Sequence, residues 1–218
     1  MVLLALVPLA SAAPTHAQME AASWAHSADR AHDDAGEVKV FSATVAGVQC
    51  FKATARTSEV DAKTLLTVVT DIPGAKRWSS AGITQAEVLG RAGNKVSYYQ
   101  YLDVPSWTMA SDRYWFLEGE IIDAGARKEM RWSPLPPTSP HAARHQSFKT
   151  ANAGAVEPDV NVGAWVFTQA EFGVDIAYMI CTEGGSIPTA IQNAATRKTL
   201  PDTVGDVVRE AKKRLGKN

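Results

Sequence analysis

A single long amphipathic helix at the C-terminal end of a chain whose middle reads almost entirely as strand is the feature that most limits the possible folds. Ser186 is a residue type suited to an N-cap, Pro188 is expected in the first turn where its missing N–H costs nothing, and Gly184-Gly185 would let the preceding strand turn sharply. From there Ile187, Ile191, Ala194 and Ala195, then Val204, Val207, Val208, Ala211 and Leu215, follow the i, i+3, i+4, i+7 spacing of one buried face. Pro201 interrupts the run, so a kink or short break is expected near Leu200, and Lys212, Lys213, Arg214 and Lys217 place cations where the helix dipole favours them.

The strands that such a helix would cover begin with a hairpin over residues 38–57, turning at Gly47. From residue 83 the period is two: 83–89, 95–104, 113–122 and 128–132 are separated by turns short enough to make the strands antiparallel neighbours. Residues 133–145 hold four prolines and read as a loop, and 147–151, 161–170 and 174–182 complete the strands. Two shorter helices are expected, one over 19–34 ended by Asp33-Asp34-Ala35-Gly36, and one capped by Ser58 and stopped at Asp71-Ile72-Pro73-Gly74. This order gives an α+β layer arrangement in which the last helix covers a twisted antiparallel sheet, and a loose fit between the two leaves a pocket.

At 218 residues the chain suits one domain. A formal net charge of −1 without a like-charge block leaves no electrostatic footprint for nucleic acid. Residues 2–10 are apolar, too short to span a bilayer, and lead into the small residues Ala10-Ser11-Ala12-Ala13. Residues 1–17 are therefore expected to be a signal peptide, and the mature protein to be exported, periplasmic or secreted. Cys50 and Cys181 could form one bridge in an oxidising compartment, but each sits in an apolar strand-like run and two cysteines make no framework, so the expectation is two buried, unpaired thiols.

No nucleophile elbow, zinc-protease helix, phosphate loop, dinucleotide fingerprint or paired-cysteine site occurs. His141 and His145 are four apart, but Pro134, Pro136, Pro137 and Pro140 argue against a helix there and no acidic third ligand lies within the loop, so neither metal nor cofactor is expected. What the strands carry is aromatic residues with a few polar ones among them. Asp112-Arg113 opens a strand of Tyr114, Trp115 and Phe116, and alternation sends one member of the charged pair inward, where it needs a partner.

Trp78 after a helix, Val104-Pro105 before Ser111-Asp112-Arg113, and Gly184-Gly185-Ser186-Ile187-Pro188 opening the last helix together resemble a START domain, the lipid-transfer domain related to the steroidogenic acute regulatory protein, over residues 20–215. The resemblance implies a helix-grip fold enclosing an apolar tunnel for one sterol or other apolar lipid. It implies a soluble, monomeric carrier in transient contact with membranes. Trp78, Tyr99, Tyr101, Trp115, Trp165, Ile187 and Ile191 would line the tunnel, and Asp112 or Arg113 would meet the lipid's polar end. Tyr114 stands where many members are acidic, and Thr189-Ala190 where many are aromatic. In that architecture the first strand of the 38–57 hairpin would lie beside the last strand, leaving Cys50 roughly 9–10 Å from Cys181. The alternative is a helix-grip enzyme of cyclase or hydrolase type acting on an apolar substrate.

Overall fold

A computed structural model of the chain describes residues 13–104, 110–183 and 189–217, with side chains throughout except at 189–192. The first element is a short helix, α1 (His16–Ala21), closed by a capping box between Thr15 and Gln18. Met19 is fully buried beneath it, and His16 Nε2 lies 3.1 Å and 2.9 Å from the carbonyls of Trp132 and Gly163. His16 belongs to the stretch expected as leader, yet it is built into the folded domain.

The helix expected over 19–34 is overturned beyond Ala21. Ala25–His32 is a strand, β1, paired antiparallel with β2 (Gly36–Val45). The Asp33-Asp34-Ala35-Gly36 signal that suggested a helix end is the hairpin turn, with Gly36 at φ 68° supplying the left-handed conformation. Strand pairing overrides the helix propensity of the alanines. The next hairpin forms as expected: Ala46 and Gly47, at φ 49° and 83°, connect β2 to β3 (Val48–Thr57).

Helix α2 (Ala62–Thr70) is capped by Asp61, whose Oδ1 accepts from Thr64 N at 2.7 Å, rather than by Ser58. A 3₁₀ turn (Ile72–Gly74) and α3 (Ala75–Trp78) follow. The antiparallel run is then β4 (Ile83–Ala92), β5 (Lys95–Leu102), β6 (Arg113–Ala124), β7 (Arg127–Pro134), β8 (Asn161–Ala170) and β9 (Gly173–Thr182). Between β7 and β8, residues 142–151 form α4 (Ala142–Ala151), where a loop and a strand were expected. The segment carries good helix formers but buries no residue, so it has no apolar face to announce it.

The described strands form one curved sheet in the order β1-β2-β3-β9-β8-β7-β6-β5-β4. Helix α5 (Thr189–Arg214) crosses its concave face and runs on through Pro201 without the expected break. The buried stripe is Leu200, Val204, Val207, Val208 and Ala211, packed with α2 against the sheet. Ala194, Ala195 and Leu215, expected on that face, are exposed.

The expectation of two unpaired cysteines is overturned: Cys50 and Cys181 form a disulfide. Because β1 takes the outer edge, it is the second strand of the 36–57 hairpin, β3, that lies beside β9. The register sets Cys50 directly opposite Cys181 with 4.2 Å between Cα atoms, the close spacing of a facing antiparallel pair, rather than one strand away.

Candidate functional site

Between the concave face, α3 and α5 lies a cavity of about 310 Å³. Register decides what reaches it. Tyr98, Gln100 and Leu102 of β5 pair with Leu117, Trp115 and Arg113 of β6, and residues directly opposite project to the same side. All of these but Arg113 line the cavity. Trp132 of β7, Asn161 and Trp165 of β8, and Tyr178 and Ile180 of β9 extend the wall, while Trp78 of α3 and Thr196, Thr199, Leu200 and Thr203 of α5 close it from above.

Aromatic rings carry most of this wall. Trp165 stacks on Tyr178 with centroids 4.3 Å apart, and Trp132 stacks on Tyr178 at 6.0 Å. Gly163 makes room for the Trp132 ring, since a Cβ there would stand 2.1 Å from Cζ2 of that ring. The indole of Trp132 donates from Nε1 to Asn161 Oδ1 at 2.9 Å. In contrast, Nε1 of Trp78 and Nε1 of Trp115 are buried without any hydrogen-bond partner, and such orphan donors cost about 1–3 kcal/mol each. Burial pushes the phenols of Tyr98 and Tyr178 far up, so both stay neutral, and no carboxylate, imidazole or cation occurs among the described lining residues.

Of the residues expected at the site, Trp78, Trp115 and Trp165 stand in the cavity wall. Tyr99 and Tyr101 stand on the opposite face of β5. Tyr99 stacks on Phe116 at 5.3 Å and meets Phe148 of α4 at 5.0 Å. Tyr101 donates its hydroxyl to Asp112 at 2.8 Å, and burial together with that carboxylate pushes its phenol up to about 12. Asp112 also accepts from Val104 N at 2.9 Å, and these bonds, the backbone one foremost, hold its carboxyl below the usual range. Its work is to tie the end of β5 to the start of β6, away from the cavity. Arg113 is the inward member of the pair and is buried, but its Nη1 donates to the carbonyls of Ser111 and Asp112 at 2.6 Å and 3.2 Å. Ile187 and the side chain of Ile191 lie outside the described residues.

Tyr98, Gln100, Trp132, Asn161 and Tyr178 were missed. Tyr98, Tyr99 and Tyr101 place an aromatic on both phases of a period-two pattern, so alternation alone cannot say which phase faces in. His141 precedes α4 and His145 lies within it, where its Nε2 meets Glu157 Oε2 at 2.6 Å and its ring stacks on Phe116. Among the described residues no group of three or more His, Cys, Asp or Glu comes together as metal ligands would. A larger hollow, about 500 Å³, lies on the opposite face of the sheet, but its charged residues are already paired, Glu37 with Lys39, Arg56 with Asp175 and Arg127 with Glu20 and Glu129.

No family model and no curated protein matches the chain. Solved structures do. Human STARD10 superposes with a TM-score of 0.70 at 18% identity, covering 87% of this chain and 73% of that one. A STAR-related lipid transfer protein (fragment 25–204) from Xanthomonas axonopodis does so at 0.67 and 21%, covering 87% and 98%. The Zhui aromatase/cyclase from Streptomyces sp. R1128 follows at 0.53 and 12%, covering 76% and 94%.

Proposed function

Taking as premise the START helix-grip fold, which this chain has, we propose that it binds one sterol or other apolar lipid in the cavity and carries it as a monomeric, extracytoplasmic protein in transient contact with membranes. The observation that carries this reading is the wall itself: four tryptophans, two tyrosines, aliphatic side chains and uncharged polar groups line a space without an ionised group among the described residues. General acid–base catalysis needs a carboxylate, imidazole or similar group tuned near the working pH, so the wall favours a carrier over the cyclase chemistry named for one structural neighbour. An oxidising compartment is supported by the Cys50–Cys181 disulfide together with the apolar N-terminal run.

At about 310 Å³ the cavity is near the lower end of small-molecule sites, which run to roughly 1,000 Å³, so a sterol-sized ligand requires the cover to move. Helix α5 is tied down unevenly. Over 193–203 the side-chain hydrogen bonds of Arg197, Thr199 and Thr203 all stay within the helix. Beyond Pro201, Asp206 accepts from Ser80 N at 2.6 Å, Arg209 and Lys212 reach Asp34, and Arg214 reaches Asp71. Pro201 offers no N–H to the preceding turn, so the N-terminal half of α5 is the part that lifts.

Native mass spectrometry of the protein purified from its own compartment, followed by extraction of what is bound, tests the reading. A stoichiometric, chemically unaltered lipid is the expected result. An empty protein that takes up no lipid from vesicles overturns it, and turnover of the lipid moves the assignment to an enzyme. Thr196→Trp, which fills the cavity from α5, should abolish retention while the melting temperature shifts by no more than a few degrees.

A further inference from the structure

We propose that the cavity selects an uncharged ligand whose polar end is a hydrogen-bond-accepting oxygen, a hydroxyl, ketone or ester carbonyl, and that the indole N–H groups of Trp78 and Trp115 recognise it. This deepens the lipid-binding reading above and rests on it.

Three indoles of the same wall differ in one respect. Trp132 has its acceptor in Asn161, whereas Trp78 and Trp115 have none. Folded proteins leave few buried donors unpaired, and two in the wall of one cavity call for a common acceptor. The two sit on different layers, Trp78 on α3 and Trp115 on β6, and both line the cavity, so an oxygen lodged between cover and sheet would lie between them. The phenols of Tyr98 and Tyr178, kept protonated by burial, stand in the same wall and bring two further hydroxyls to it. Asn161 Oδ1, an acceptor in the wall, is already engaged. Gln100 and the hydroxyls of the lining can donate or accept as needed, whereas the two indoles can only donate, and the described lining carries no cation, so a neutral acceptor is matched there while a carboxylate or phosphate enters without a counter-charge.

The test offers dodecane, 1-dodecanol and dodecanoate from a common cyclodextrin donor and measures the bound fraction of each. Dodecanol should bind about tenfold more tightly than dodecane, and dodecanoate no more tightly than dodecane. Trp78→Phe and Trp115→Phe should each lower the alcohol-to-alkane ratio about threefold while dodecane still binds, a ratio that cancels any general loosening of the wall. In the unsubstituted protein, the indole N–H resonances of these two tryptophans should move downfield with dodecanol and stay put with dodecane, a readout that stands even where a variant fails to fold. Equal binding of alcohol and alkane, with unmoved indole resonances, overturns the donor role and leaves the lipid-binding reading intact. Tightest binding of dodecanoate overturns the neutral class. Binding of none of the three overturns the lipid-binding reading and this inference with it.

Discussion

Single residues set the shape of this cavity, and Gly163 does so most directly. An added methyl group would stand 2.1 Å from the Trp132 ring and 2.6 Å from the carbonyl oxygen of Met179. The ring can swing away, but the backbone of the neighbouring strand cannot. Gly163→Ala should therefore cost about 2–3 kcal/mol in urea denaturation and displace Trp132 from Asn161, visible as a changed near-ultraviolet circular dichroism band. Nothing in the sequence marked this glycine, because its role arises only when β7 and β8 pair Trp132 with Gly163. Trp78, Trp115 and Trp165, which the START resemblance implied for the tunnel, stand in the cavity wall, whereas Tyr99 and Tyr101, implied with them, stand on the other side of β5, a strand that is aromatic on both faces. The Asp112–Arg113 pair was correctly expected to divide between faces, but what each member touches depends on Val104, Tyr101 and the carbonyls beside them, which alternation does not reveal.

The elements join where β3 meets β9, and there the disulfide closes a loop of 131 residues. Removing it with Cys50→Ser/Cys181→Ser should cost about 2–4 kcal/mol, read as a lower urea midpoint, and dithiothreitol should lower the midpoint of the native protein by a similar amount without affecting the double variant. The hairpin, α2, the strands β4 to β9 and the C-terminal helix could all be read from hydrophobic period and turn residues. Two elements could not. In β1 an alanine-rich run with helical spacing becomes an edge strand, since pairing with β2 decides the matter. In α4 the helix buries nothing of its own and simply rests Phe148 among Tyr99, Tyr114 and Phe116, leaving no stripe for a pattern to follow. Missing β1 also shifted the strand order by one place and so hid the bond between the cysteines.

At the scale of the whole molecule, the outer face combines a ring cluster beneath α4 with a charge network over β7. Glu129 is buried on β7 and paired with Arg127 and Arg131, and Glu20 of α1 bridges the same two guanidinium groups from above. Burial alone would raise the Glu129 carboxyl, but the two arginines outweigh it and hold it below the ordinary carboxylate value. A depressed folded-state pKa contributes stability that is present above the unfolded value, near 4.3, and is lost as pH falls through the folded one. Stability should accordingly decline below about pH 4, and Glu129→Gln should flatten that decline while costing about 2 kcal/mol at pH 7, where it leaves two cations facing each other; guanidinium titrations at several pH values measure both. The strand order itself governs how the molecule can be made. Strands β1 to β3 come first off the ribosome, but the neighbour that completes β3 is β9, the last strand of all. Until β9 arrives, the opening meander presents a bare edge, and Cys50 has no partner. Closure of the sheet and oxidation of the cysteines thus become one late event, and a chain that emerges from its N-terminus must be released almost entirely before the domain can exist.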